Sequence, residues 1–245
     1  MYSVILAAGQ GTRMRPLSFI IPKVLLPVRG KPVLDYLLGN LKGMDIEHHY
    51  IVASEQIEVI QNYLEKTGAH KVSVVRGLGW ETGGDLAIAL QEINKKDDFV
   101  VMNGDIITDV NISKLYDFHK DKRAGVSMAL LELEDDEEAK RFGQIELGDD
   151  GSIIEFREKN DIVRRKSNLV NVGFYIFSRK LVEEKPSYFV PRKFKLEKDF
   201  FPLLSKQRLL YGVRMDVDYW WDVGTVESYL KAEEFFINGR NIIPP

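Results

Sequence analysis

The run Leu6-Ala7-Ala8-Gly9-Gln10-Gly11-Thr12-Arg13-Met14-Arg15-Pro16 places two glycines, a threonine and two arginines directly after an apolar stretch, and Pro22-Lys23 follows. Small residues and glycines let a backbone curl until its N–H groups converge on one concavity, which suits an anion. Arg13, Arg15 and Lys23 add fixed positive charge to the same mouth. A donor nest ringed by cations suits a polyphosphate, hence a nucleoside triphosphate. Two other phosphate loops are excluded. The dinucleotide fingerprint needs a third glycine where Met14 stands, and a later acidic residue for the ribose. The P-loop needs Gly-Lys-Ser/Thr, and Gly30-Lys31 is followed by Pro32.

Asn103-Gly104-Asp105 comes directly after an apolar stretch, and Trp220-Trp221-Asp222-Val223-Gly224-Thr225 comes just before a helical one. Hard carboxylate oxygens hold Mg²⁺, which takes one or two protein carboxylates plus phosphate oxygens and water. Asp105 and Asp222 are therefore the candidate metal ligands. The competing role for Asp222 is that of an N-cap beside a packing tryptophan, and Asp109 is the expected cap of the helix after Asn111. Lys159, in Glu158-Lys159, is a compact charge for a phosphate. Asn171 can donate to and accept from sugar hydroxyls, and a turn role is the alternative. His48, His49, His70 and His119 lack metal-ligand spacing. The acidic run at 132–138 reads as a solvated loop.

These residues need strand ends to hold them. Strand-like stretches at 2–7, 50–53, 71–75 and 99–102 alternate with helical ones at 32–42, 57–65 and 85–93, and the apolar 99–102 stretch is expected at the centre. Such alternation predicts a mainly parallel sheet with helices on both faces and ligands beyond the carboxyl ends of the strands. After Asn111 the rhythm changes: a helix at 112–120, a strand at 125–131, a hairpin at 143–147 and 152–156, strands at 172–177 and 209–213, and helices at 197–205 and 225–236. The expected fold is α/β and Rossmann-like. It has a mixed, mainly parallel sheet flanked by helices and a small β-rich subregion. The expected organisation is a single domain over 1–245, with 1–110 as its first half and 111–245 as its second, which ends in closing helices.

The chain has 245 residues, a net charge of -3 and no cysteine. The last point excludes disulfides, thiol nucleophiles and cysteine-bound zinc. Mixed charge argues against a nucleic-acid surface. No apolar run reaches about 20 residues, so no membrane span is expected. No signal peptide is read at the N-terminus, no further repeat domain is expected after Pro245, and the expected location is cytoplasmic. Nothing in the sequence opposes a homo-oligomer.

Taken together, these segments resemble the sugar-1-phosphate nucleotidyltransferases, the NDP-sugar pyrophosphorylases. The family opening runs from Leu6 through Pro16-Leu17 to Pro22-Lys23. The metal motif falls on Asn103-Gly104-Asp105 and the sugar-phosphate motif on Phe156 to Lys159. The sugar strand matches Asn171, Gly173, Tyr175 and Phe177, a Glu-x-Asp element matches Glu197 and Asp199, and the closing motif runs from Trp220 to Thr225.

The resemblance implies a nucleotidyltransferase or GT-A-like sheet with a small β-rich sugar-binding subregion, 1–110 as nucleotide-binding half and 111–245 as sugar-binding half. It implies that a sugar 1-phosphate attacks an NTP to give an NDP-sugar and pyrophosphate, with Mg²⁺ on Asp105 and Asp222. It implies catalytic roles for Arg13, Lys23, Asp105, Lys159 and Asp222. Nucleotide contacts are implied from Leu6, Ala8, Gly9, Gly11, Thr12, Arg13, Lys23, Thr82, Gly83 and Gly84. Sugar-phosphate contacts are implied from Gly143, Glu158, Lys159, Asn171 and Gly173.

Many relatives carry Leu-Gly-Thr-Ala-Gly where this chain has Trp80-Glu81-Thr82-Gly83-Gly84. The usual pyrimidine reader is replaced by Val75-Arg76-Gly77-Leu78. The lean is toward a mannose- or heptose-1-phosphate guanylyltransferase. Uridylyl or thymidylyl transfer, cytidylyl transfer to a non-sugar phosphate, and a non-catalytic nucleotide-sugar sensor are the alternatives.

Overall fold

The computed structural model describes residues 1–158 and 167–238. Its main sheet has seven strands: β1 Tyr2–Leu6, β2 His48–Ala53, β3 Val72–Arg76, β4 Phe99–Asn103, β5 Val126–Glu132, β6 Leu169–Phe177 and β7 Leu210–Arg214, in the spatial order β7-β5-β6-β4-β1-β2-β3. All pairings are parallel except those of β6, which runs antiparallel to both β4 and β5. The expected mixed, mainly parallel sheet is therefore present, and it continues from the first half of the chain into the second.

Neighbouring residues of a strand face opposite sides of a sheet. In β1, Ile5 packs in one core and Val4 in the other; in β4, Val100 and Met102 oppose Phe99 and Val101. Both faces of β4 are buried, as expected of a central strand. Helices α1 Val33–Gly39, α2 Ile57–Thr67, α4 Ile112–Lys122 and α5 Val226–Asn238 cover the Ile5 face. Helix α3 Glu81–Glu92 and the aromatic segment around Phe200 and Phe201 cover the other. No helix among the described residues is long and apolar enough to cross a membrane.

Several local expectations change. The helix expected over 197–205 is a π-helical turn, Leu196–Phe200, followed by a separate α-helix, Phe201–Lys206. Pro202 lacks the N–H needed to continue the preceding turn. Asn111, not Asp109, caps α4, accepting from Lys114 N–H at 2.9 Å; Asp109 instead accepts from Asp218 N–H. The acidic run is not all loop: Asp135 caps a short helix, Asp136–Ala139. A ribbon pairing Ile106–Thr108 with Trp220–Asp222 was not expected at all.

Candidate active site

Strand β1 delivers the first loop. Ala7 N–H donates to Val52 O, and Gly104 N–H donates to Leu6 O, each at 2.9 Å. The ends of β1, β2 and β4 therefore stay locked one residue past the sheet. A Cβ on residue 104 would lie 2.7 Å from Leu6 O, so only glycine allows the approach. The loop then turns through three short 3₁₀ segments, Thr12–Met14, Leu17–Phe19 and Lys23–Leu25. Ser18 Oγ donates to Gly11 O at 2.8 Å. Met14 is fully buried and anchors the loop, while Arg13 and Lys23 line the cavity. Arg15 does not join them: its guanidinium lies over the Phe19 ring, 4.8 Å from the centroid.

The ribbon brings the second carboxylate to the first. Asp222 lies opposite Ile106, and Val223 N–H donates to the Asp105 carbonyl at 2.8 Å. Asp222 Oδ1 accepts from Gly224 N–H at 2.7 Å, and Arg13 crowds the same glycine. The helix behind is capped instead by the reciprocal pair Thr225 and Ser228. Lys23 Nζ pairs with Asp105 Oδ2 at 2.5 Å, with side chains 18% and 25% exposed.

The two acids titrate apart. Burial pushes Asp105 up, but the Lys23 charge and hydrogen bond, with Arg13 beyond, outweigh it and hold Asp105 below the usual carboxylate range. Asp222 is pushed up, first by burial and then by the Asp105 charge. Gly224 N–H, Lys23 and Arg13 only partly oppose this.

From this point a cavity of about 550 Å³ opens. Because β6 runs antiparallel, its start lies on the same rim as the end of β4, which places Asn171 and Gly173 in the wall. Asn171 Oδ1 accepts from Gly173 N–H at 2.9 Å and Nδ2 donates to Tyr175 Oη at 2.7 Å. Asn171 thus holds its own strand and keeps one lone pair and one N–H free. Gly143 and Glu158 line the cavity from the hairpin Gln144–Leu147 and Ile153–Arg157 and its flanks. Trp220 Nε1 donates to Val172 O at 3.1 Å, tying the ribbon to this wall. Lys159 lies outside the described residues.

Leu6, Ala8, Gly9, Gly11, Thr12 and Thr82 also line the cavity; Gly83 and Gly84 do not. The segment around Phe194 covers those two glycines. Both their N–H groups donate to Phe194 O, and a Cβ on either would meet Phe194 or Arg192 at under 2.5 Å. They are packing positions rather than cavity wall.

That covering segment brings Lys193 and Lys195, which the sequence did not single out, and Glu197 of the Glu-x-Asp element. Thr82 Oγ1 donates to Glu197 Oε2 at 2.7 Å and accepts from Leu196 N–H at 3.0 Å. Burial raises Glu197 above its usual value. Asp85 was missed too. It is buried and accepts from Leu78 N–H at 2.9 Å, fixing the turn after β3. An acid on the apolar stretch with Leu86, Ala87 and Ala89 was the available signal.

A family model described as nucleotidyl transferase matches residues 2–239. The mannose-1-phosphate guanylyltransferase of Mycobacterium tuberculosis is 29% identical over 244 residues, 97% of this chain and 65% of that protein. The UTP–glucose-1-phosphate uridylyltransferase of Synechocystis is 30% identical over 246 residues, 95% of this chain and 62% of that protein. This chain therefore spans somewhat less than two thirds of the length of either relative. The crystal structure of HddC from Yersinia pseudotuberculosis, also solved complexed with GMP-PN, is similar at a TM-score of 0.75 and 28% identity, covering 96% of this chain and 100% of that one. With this match over nearly its whole length, the chain belongs to the nucleotidyl transferase family.

Proposed function

We propose that this chain transfers a nucleotidyl group from an NTP to a sugar 1-phosphate, releasing pyrophosphate. One observation carries the reading: the Arg13–Lys23 loop and the Asp105–Asp222 pair meet on one side of a cavity, and Gly143, Glu158 and Asn171 line it too. An oxygen of the sugar phosphate attacks the α-phosphorus in line, and the bond to the bridging oxygen of pyrophosphate breaks. No general base is needed, because a phosphate monoester with a second pKa of about 6 is already ionised at neutral pH. Positioning and charge stabilisation carry the rate.

Arg13 neutralises the departing pyrophosphate and Lys23 contacts the α-phosphate. Lys159 receives the incoming sugar phosphate; Gly143, Glu158 and Asn171 orient sugar hydroxyls. The nucleotide sits on the wall formed by Leu6, Ala8, Gly9, Gly11, Thr12 and Thr82.

Asp105 and Asp222 fit a divalent cation. Two oxygen donors crowd each other on adjacent backbone, and a positive charge relieves that repulsion. Among the described residues, no group of three or more His, Cys, Asp or Glu could hold a metal unaided. This suits Mg²⁺, which completes its shell with phosphate and water. When bound, the ion supplies charge that screens and orients the triphosphate. A matrix of ATP, CTP, GTP, dTTP and UTP against several sugar 1-phosphates, read by pyrophosphate release, tests the reaction. Release should require both substrates and Mg²⁺. Release with no sugar phosphate present, or none with any pair, overturns it.

A further inference from the structure

Glu81 opens α3 in the left-handed backbone region, at φ 66°. L side chains rarely adopt that conformation, and glycine accepts it freely. Among the described residues, four other non-glycine positions share it: Arg29, Gln56, Arg123 and Arg208. None of those four lines the cavity, and Glu81 does. Its side chain is 39% exposed, and its ion-pair partner Lys195 stands 3.8 Å away, beyond a strong charge-assisted hydrogen bond. Strain of this kind persists where the surroundings enforce it, and it gathers at ligand sites.

The enforcement is visible. Asp85 accepts backbone N–H bonds from Leu78, Gly79 and Trp80, which fixes the turn leading into Glu81. A Cβ on Gly79 would lie 3.6 Å from Ala8 O, so this turn rests on the first loop. Ser54 Oγ donates to that same carbonyl at 2.7 Å. Glu81 is therefore offered from a rigid turn that rests on the phosphate loop, on the wall of the same cavity. Thr82, the next residue, is already engaged with Glu197 and Leu196.

An ionised carboxylate has two acceptors and no donor. Guanine presents two adjacent donors, N1–H and the N2 amino group, on one edge. Uracil and thymine place a single N–H between two carbonyls, which a carboxylate repels. Adenine and cytosine set one amino group beside an acceptor nitrogen. We propose that Glu81 reads guanine and that the nucleotide is GTP. The proposal rests on the nucleotidyl-transfer reading and names the base for that same site.

The test compares wild type, Glu81→Gly, Glu81→Gln and Lys195→Ala, measuring kcat/KM with GTP and UTP, calorimetric binding of each nucleotide, and thermal unfolding. Wild type should favour GTP. Glu81→Gly should unfold at an equal or higher temperature, because the left-handed strain is gone. Its GTP-to-UTP ratio should fall about ten- to hundredfold, the usual worth of a bidentate base contact. Glu81→Gln, which swaps an acceptor for a donor, should lower the ratio similarly without gaining stability. Lys195→Ala should keep the ratio, since the ion pair is not the reader.

A wild type that prefers UTP or dTTP overturns the assignment, as does a ratio unmoved by either Glu81 variant or equally moved by Lys195→Ala. If no nucleotide turns over, the transfer reading fails, and the binding ranking of GTP over UTP still decides the role of Glu81. Turnover of GTP with no dependence on Glu81 sinks the base assignment alone.

Discussion

Asp105 and Asp222 show how place overrides type at the residue scale. Both are aspartates at one end of the same ribbon, Asp105 just before it and Asp222 in it, yet Lys23 satisfies one while the other bears burial and its neighbour's charge. The expected consequence is a split between activity and stability. Asp105→Ala and Asp222→Ala should each slow pyrophosphate release about a hundredfold or more, as deletion of one transition-state stabiliser does. Their unfolding temperatures should move oppositely. Asp105→Ala leaves Lys23, itself mostly buried, without its partner and should lower the midpoint, by about 2–4 °C for each kcal/mol lost. Asp222→Ala removes a carboxylate whose ionised form the fold disfavours, so the midpoint should hold or rise. Thermal unfolding at neutral pH checks both; a drop for Asp222→Ala equal to that for Asp105→Ala would contradict the asymmetry. Both acids were legible from sequence because they follow or precede strand-like and helical stretches, where side chains reach a rim. The roles of Arg15, Gly83 and Gly84 were not, because they depend on what packs over them: Phe19 for the first, Phe194 and Arg192 for the others.

At the scale of elements, the α4–β5 contact stores a pH dependence. His119 on α4 is buried and shares a hydrogen bond with Ser127 of β5 at 3.0 Å. Burial pushes it down to about 4, with Asp98 opposing and Lys120 assisting. The native state therefore keeps it neutral while the unfolded chain, with a His value of about 6.5, takes up a proton. Stability is fully present above about pH 6.5 and is lost as pH falls toward 4, by at most about 1.4 kcal/mol per unit. His49, paired with Ser3 at 2.8 Å and likewise lowered to about 4, adds a second contribution of the same sign. Urea midpoints at pH 7 and pH 5 should diverge in wild type and diverge less in His119→Gln; an unchanged gap would show that His119 is protonated when folded. Elements with a clear period were readable. Strands β1 to β4 fall within two residues of the expected spans, since apolar runs bounded by turns mark them. Ile106–Thr108 and Trp220–Asp222 were not readable as partners, because three residues carry no alternation and the pairing bridges distant sequence.

Across the whole molecule, that unreadable ribbon closes the site. The first loop and the Trp220–Asp222 strand come from opposite ends of the chain and meet beside the end of β4, and β6 inserts a second-half strand directly beside β4. If 1–110 and 111–238 were independent units, few contacts would cross between them. Instead β4 and β6 share a ladder, Ile106–Thr108 pairs with Trp220–Asp222, Val223 N–H donates to the Asp105 carbonyl, and Arg13 lies beside Gly224. We expect one cooperative unfolding transition: the emission of Trp220 and Trp221, followed in a Trp80→Phe background, should track the far-UV circular dichroism of the whole chain. The cavity draws its walls from both halves, so a bound nucleotide should shift that one transition as a unit, by about 2.7 kcal/mol at a hundredfold excess over Kd. Two resolved transitions, with nucleotide moving only one of them, would mean that the halves fold apart and that the site assembles afterwards.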